Sequence, residues 1–171
     1  MSFRGARYEF RDKSADYASL AIELGSLLAG EADLVANAAN MSALLFDALP
    51  DINWAGFYFL RASPGTGSTG VGELVVGPFQ GKPACVRIPL GKGVCGTAAA
   101  TRKTIVVPDV HDFPGHIACD AASRSEIVVP LISNTALLGV LDIDSPRVGR
   151  FDDQDRVGIE KLAAIFVAGS R

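Results

Sequence analysis

Glu126-Ile-Val-Val-Pro-Leu-Ile132 and Leu137-Leu-Gly-Val-Leu-Asp-Ile-Asp144 are two apolar, strand-like stretches that are separated by the turn-forming residues Ser133-Asn134-Thr135. Their length and their β-branched composition predict two strands of a mostly antiparallel sheet. Side chains two residues apart on a strand share a face. Asp142 and Asp144 are therefore expected on one face of the sheet, and the apolar residues between and beside them on the other.

Periodicity and turn residues predict the elements around these two strands. A helix from Tyr17 to about Gly30 and a second one from Asp33 to Pro50 present apolar stripes, and Asp152 and Asp155 open a closing helix. Further strands are expected at Trp54–Leu60, Glu73–Val76, Cys85–Ile88 and Thr104–Val107, with a short helix at Thr97–Arg102. This order of elements indicates an α+β fold with helices on one sheet face and a loop-covered pocket on the other.

Length and charge limit the classes of function. The chain has 171 residues, 49% of them hydrophobic, and a formal net charge of -3, which predicts a single domain over residues 1–171. Because no basic stripe is present, nucleic acid is not an expected partner. The N-terminus lacks a secretory pattern and no apolar run reaches about 20 residues, so the protein is expected to be cytoplasmic and not membrane-bound.

Three acidic side chains are predicted to share the sheet face that points away from the helices. Strand alternation groups Glu126 with Asp142 and Asp144, and it also brings Trp54 and Tyr58 to this face. The acids could simply be solvated on an open antiparallel sheet. If the long loop from Pro108 to about Arg124 covers them, they form an anionic and aromatic pocket for a small ammonium compound, with Glu126 as proton donor and the two aspartates holding the amine.

The three cysteines allow redox chemistry. Cys119 precedes a potential helical turn and lies three residues after His116, which favours a reactive thiolate. Cys95 also precedes a helix, so these criteria do not separate the two thiols. Cys85, at a predicted strand start, is better suited to be a partner thiol. Each cysteine alone could equally be a small buried hydrophobe.

Two other binding patterns are weaker. His111, His116 and Cys119 with Cys85 or Cys95 could form a metal site, but the spacing has no C-x-x-C and does not match structural zinc. No bound metal or cofactor is therefore expected. The segment 65–70 matches G-x-G-x-x-G literally, yet a strand follows it where a dinucleotide site requires a helix.

Seven segments resemble the free methionine-(R)-sulfoxide reductases, single-domain enzymes of the GAF fold. They follow the family's order and span most of the chain: Asp51-Ile-Asn-Trp-Ala-Gly-Phe-Tyr58, Gly77-Pro-Phe-Gln-Gly-Lys-Pro-Ala-Cys85, Gly91-Lys-Gly-Val-Cys-Gly-Thr97, Val107-Pro-Asp-Val-His111, Phe113-Pro-Gly-His-Ile-Ala-Cys-Asp120, Ser125-Glu-Ile-Val-Val-Pro130 and Gly139-Val-Leu-Asp-Ile-Asp-Ser145. The Gly/Ser-rich segment from Pro64 to Gly70 is a departure that affects no catalytic position.

The resemblance implies reduction of free methionine-(R)-sulfoxide. Cys119 would attack the sulfoxide sulfur and become a sulfenic acid, Cys85 would resolve it as a disulfide, and Cys95 would be an alternative or relay. Thioredoxin, kept reduced by NADPH and thioredoxin reductase, would reduce the disulfide back to the thiols. The resemblance also implies a homodimer. Since GAF-like domains often bind small molecules without turnover, a non-catalytic sensor is the alternative hypothesis.

Overall fold

A computed structural model describes residues 8–62, 72–115 and 120–170. The elements in chain order are α1 (Lys13–Leu27), α2 (Leu34–Ala48), β1 (Trp54–Arg61), β2 (Glu73–Gly81), β3 (Arg87–Pro89), α3 (Gly93–Thr101), β4 (Ile105–Val107), a 3-10 turn (Val110–Asp112), β5 (Ser125–Ser133), β6 (Ala136–Ser145) and α4 (Asp153–Gly169). The G-x-G-x-x-G segment, His116 and Cys119 lie outside the described residues.

The six strands form one sheet in the order β3-β2-β1-β6-β5-β4, and every pairing between them is antiparallel. The predicted α+β architecture is confirmed. β5 and β6 are adjacent and connected by a tight turn, in which Asn134 adopts a left-handed conformation with φ of 54°. The segments 126–132 and 137–144 therefore form a hairpin inside the sheet, flanked by β1 on one side and β4 on the other.

Capping side chains fix where the helices begin. Asp33 accepts a hydrogen bond from the Ala36 amide at 2.8 Å, as its position in the sequence predicts. Asp152 and Asp155 form a reciprocal capping box at the start of α4. These contacts satisfy amides that have no partner within their helix, and they orient α2 and α4 over the sheet.

The main core lies between one face of the sheet and helices α1, α2 and α4. The alternation predicted for the central strands holds, since Phe57 and Phe59 of β1 point into this core, as do Ile127 of β5 and Leu141 and Ile143 of β6. Among the described residues no helix is both long and apolar enough to cross a membrane.

The opposite face of the sheet carries a second, smaller core. Trp54, Tyr58, Val128 and Val140 from the sheet pack there against residues of α3 such as Cys95. The sequence predicted that a loop covers this face, whereas the structure places helix α3 over it as well. The acidic side chains of this face are consequently enclosed by a packed layer.

Candidate active site

Two adjacent strands bring three carboxyl groups together on the second face. Glu126 of β5 is paired with Asp144 of β6, and Asp142 lies opposite Val128 two pairs further along the ladder. Glu126 and Asp142 are 5% and 6% exposed, and Asp144 is partly exposed. The predicted grouping of these acids is confirmed, and their burial excludes the interpretation that they are merely solvated.

An aromatic wall stands beside the acids. The rings of Trp54 and Tyr58 are stacked with centroids 5.8 Å apart, and the ring of Phe79 of β2 stacks with that of Trp54 at 5.2 Å. The Trp54 indole donates a hydrogen bond to the Lys82 carbonyl at 3.1 Å, which fixes the plane of the ring. We call the space lined by Trp54, Tyr58, Cys95, Glu126, Asp142 and Asp144 the carboxylate pocket.

Cys95 enters the carboxylate pocket from the first turn of α3. Its sulfur lies 3.9 Å from Glu126 Oε1, and the residue is 4% exposed. The sequence placed the helix from Thr97, after this cysteine, whereas α3 begins at Gly93 and includes it. Burial, reinforced by the charges of Asp142 and Glu126, raises the pKa of the Cys95 thiol well above its usual value.

The pocket favours protonated acids. Burial raises the pKa of Glu126 well above its usual range, and repulsion from Asp142 and then from Asp144 adds to the effect. Burial likewise raises the pKa of Asp142 to about 7 and raises that of Asp144, which Asp142 also repels. At neutral pH the pocket therefore retains protons that free carboxyl groups would release, and a neutral acid can donate a hydrogen bond to a substrate oxygen.

Sequence reasoning missed a polar rim at the mouth of the pocket. Asp120 accepts hydrogen bonds from the Asn53 amide at 3.2 Å and from the Lys82 ammonium at 3.3 Å, and Asn53 also donates to Ser123 at 3.1 Å. These contacts join segments far apart in sequence. Asn53, Lys82 and Asp120 all fall within segments that carry the family resemblance, which was the available signal.

The three cysteines occupy different environments. Cys85 precedes β3 and is disulfide-bonded. Cys95 is a free, buried thiol. Cys119 lies outside the described residues, so its predicted role as nucleophile stays a prediction, as do the roles of Cys85 and Cys95 in catalysis.

His111 does not approach the pocket. Its Nδ1 lies 2.9 Å from Asp109 Oδ1, and Asp109 also accepts a hydrogen bond from Arg124 at 2.8 Å. The His111 side chain is exposed. This network ties the 3-10 turn to the start of β5, so His111 stabilises the loop instead of joining the pocket.

Comparisons with known proteins extend over nearly the whole chain. The GAF domain family model matches residues 36–167. Free methionine-R-sulfoxide reductase of Escherichia coli strain K12 is 53% identical over 153 residues, which cover 90% of this chain and 87% of that protein.

Two solved structures show the same architecture. Free methionine-R-sulfoxide reductase from Neisseria meningitidis in complex with its substrate is 43% identical with a TM-score of 0.86, and the match covers 98% of this chain and 94% of that one. A candidate GAF sensor protein from Burkholderia vietnamiensis is 61% identical with a TM-score of 0.84, and the match covers 93% of this chain and 96% of that one.

Proposed function

The chain belongs to the free methionine-(R)-sulfoxide reductases, a family of oxidoreductases on the GAF fold, and from this premise we propose that it reduces free methionine-(R)-sulfoxide to methionine. The observation that carries the proposal is the clustering of the buried Glu126 and Asp142 with Asp144 beside an aromatic wall. The preference for the R epimer rests on the relationship to the family alone.

The pocket suits a free amino acid. Asp144 is the most exposed of the three acids and, with Asp142, is the proposed partner of the substrate ammonium group. Trp54 and Tyr58 also line the pocket and offer apolar surface to the methylthio end of the substrate. In a peptide the same nitrogen is an amide without charge, so this arrangement disfavours peptide-bound methionine sulfoxide.

The chemistry requires a thiolate and a proton donor. The Cys119 thiolate attacks the sulfoxide sulfur while Glu126, held neutral by its surroundings, protonates the sulfoxide oxygen. The sulfur–oxygen bond of the substrate then breaks as the oxygen passes to the cysteine. Methionine leaves reduced by two electrons, and Cys119 is left oxidised as a sulfenic acid.

A second thiol completes the cycle. The Cys85 thiol condenses with the sulfenic acid, which forms a disulfide and releases water. The disulfide of Cys85 and the free thiol of Cys95 support Cys119 as the proposed partner, since the chain has three cysteines. The two thiols of thioredoxin then reduce this disulfide by exchange. Thioredoxin as reductant and a homodimeric assembly stay predictions.

A coupled assay tests the proposal. The reduced protein is incubated with thioredoxin, thioredoxin reductase and NADPH, and with each epimer of methionine sulfoxide in free and peptide-bound form. We expect NADPH oxidation with the free R epimer and not with the peptide. Binding of methionine sulfoxide without turnover in a folded, reduced sample would contradict the proposal and would favour a sensor.

Two cysteine variants test the assigned roles. In a single turnover without thioredoxin, Cys119→Ser should release no methionine, whereas Cys85→Ser should release about one equivalent and fail to recycle. Equal loss of methionine release in both variants would contradict this division of roles.

A further inference from the structure

A group of one sulfur and two carboxylates lies in the carboxylate pocket with the separations of metal ligands. One ligand atom each from Cys95, Glu126 and Asp142 lies within 4.8 Å of the others, and all three residues are buried. Cys95 Sγ and Glu126 Oε1 are 3.9 Å apart. No other such group occurs within the ranges 8–62, 72–115 and 120–170.

Asp142 supplies a second, independent sign of a missing ligand. Its Oδ1 is buried and has no hydrogen-bond partner in the described part of the chain, although the residue is only 6% exposed. A buried carboxylate oxygen without a donor is costly, and a cation satisfies it as well as a proton donor does. Asp142 lines the pocket that Cys95 and Glu126 also line.

The geometry fits a tetrahedral ion. A zinc ion bound to a thiolate and a carboxylate oxygen holds these two ligand atoms about 3.5 Å apart. The observed 3.9 Å therefore requires a shift of only a few tenths of an ångström, within reach of side-chain rotation. Three protein ligands also leave a fourth position facing the pocket, as open zinc sites do.

The donor set selects the kind of ion. A thiolate favours the softer cations Zn²⁺ and Cd²⁺, whereas Mg²⁺ and Ca²⁺ prefer oxygen ligands alone. The mouth of the pocket also favours cations, since Asp120 and Asp144 line it and Lys82 is the one basic residue among its described lining residues.

We infer that Cys95, Glu126 and Asp142 bind a thiophilic divalent cation, Zn²⁺ or Cd²⁺, and that this ion excludes the substrate from the carboxylate pocket. The ion replaces the proton on the Cys95 sulfur and offsets the charge of the two carboxylates. It is an inhibitor of the site and not a cofactor. Only the inhibitory consequence rests on the proposed function, because binding itself depends on the three ligands.

Cadmium binding to the oxidised protein tests the inference directly. With Cys85 in its disulfide, the free thiol of Cys95 is the ligand available among the described cysteines. Titration with Cd²⁺ should produce the ultraviolet charge-transfer absorbance of a cadmium–thiolate bond, saturating at one ion per chain. Cys95→Ser should abolish this absorbance, and Asp142→Asn should weaken binding by at least about tenfold, as the loss of even an outer-shell partner does.

His111→Ala is the matched control. This variant removes an exposed imidazole that could bind metal adventitiously and lies outside the pocket lining, so cadmium binding should be unchanged. An absorbance that persists in Cys95→Ser would overturn the inference, as would equal binding by wild type and Asp142→Asn. Near-ultraviolet circular dichroism of each metal-free variant verifies that its fold is retained.

Competition separates this inference from the proposed function. Free methionine sulfoxide should raise the apparent dissociation constant of Zn²⁺ in proportion to its concentration. Zinc binding by a protein that never turns over substrate would remove the proposed function and leave the metal site. If the cadmium–thiolate absorbance depends on Cys95 but saturating Zn²⁺ does not slow turnover, the inhibitory part of the inference is overturned.

Discussion

Glu126 and Asp144 are direct partners across the β5–β6 ladder, so two acidic side chains face each other on the buried side of an antiparallel pair. Like charges in this position destabilise a sheet. The protein accommodates them by keeping protons on the site, since burial first and repulsion from the neighbouring Asp142 second raise the pKa of both groups. Such a departure from ordinary sheet composition is expected where function opposes stability.

Asp142→Asn should stabilise the protein at neutral pH and abolish or strongly reduce turnover. Burial raises the pKa of Asp142 to about 7, so the folded state binds more protons than the unfolded state between about pH 4 and pH 7. The contribution of Asp142 to the stability of the wild-type protein is therefore greatest below pH 4 and falls as the pH rises from about 4 to about 7. Asparagine removes this loss, and we expect a gain of about 1–3 kcal/mol at pH 8 that shrinks towards pH 4.

Urea unfolding at pH 4, 6 and 8 measures this effect, with the disulfide state held fixed. Asp47→Asn, which replaces an exposed carboxylate of α2, is the control and should show a difference from wild type that does not grow with pH. A stability difference for Asp142→Asn that is the same at all three pH values would contradict the assigned cause.

Cys95 should be the slowest of the three cysteines to react with an alkylating reagent in the reduced, folded protein. Its thiol is buried and its pKa is raised by burial and by the neighbouring acids, so little thiolate exists at neutral pH. Mass spectrometry of peptides after timed treatment with iodoacetamide measures each rate. Unfolding in urea should bring the three rates together, and rapid alkylation of Cys95 in the folded state would contradict the environment described for it.

Much of this site could be predicted from strand alternation alone. The period of two residues places Asp142 and Glu126 on the correct face, because that face is set by which side of each strand is uniformly apolar. The start of α3 could not be predicted in this way. Its glycines resemble a loop, yet a Cβ on Gly96 would lie 2.3 Å from the Pro89 carbonyl oxygen, so packing against the end of β3 requires glycine inside the helix.

The polar rim could not be predicted for a different reason. The contact between Asn53 and Asp120 joins residues 67 positions apart, and no local pattern encodes such a pairing. The covering layer over the second face has the same character, since Val94 and Cys95 of α3 become buried only when the chain folds back over β1, β5 and β6. Local sequence therefore predicts which side chains share a strand face and not what covers that face.

Lys82→Ala should slow formation of the proposed Cys85–Cys119 disulfide by at most about fivefold. Lys82 lies three residues before Cys85, and its ion pair with Asp120 links that loop to the residue after Cys119. The Lys82 side chain is 69% exposed, and an exposed pair contributes about 1 kcal/mol or less. Quenched-flow measurement of thiol loss after one equivalent of substrate gives the rate.

Asp120→Asn should have the larger effect on this rate. Asp120 accepts hydrogen bonds from the Ala122 amide and from Asn53 as well as from Lys82, so its charge organises the turn at residues 120–123. Lys103→Ala, which removes an exposed lysine elsewhere, is the control and should leave the rate unchanged. If the rate of disulfide formation in Lys82→Ala is lower than that of the wild type by the same factor in high salt, the link between Lys82 and Asp120 is not electrostatic.

Two glycine-to-alanine substitutions should change stability in opposite directions. A Cβ on Gly158 of α4 would lie 2.2 Å from Cγ of the buried Tyr17 ring, so Gly158→Ala must displace that ring or separate α1 from α4. Tyr17 cannot move freely, because its hydroxyl donates to the fully buried Asp155 at 2.9 Å. We expect a loss of about 1–3 kcal/mol, the usual cost of overpacking.

Gly25 of α1 is the matched position. It is exposed, and a Cβ there meets nothing within 4 Å, so Gly25→Ala should gain about 0.5–1 kcal/mol through the lower conformational freedom of the unfolded chain. Urea unfolding of both variants in the same redox state measures the two differences. Stabilisation of similar size at both positions would mean that helix propensity dominates, and the close packing of α1 on α4 at Tyr17 would then not be what requires glycine at position 158.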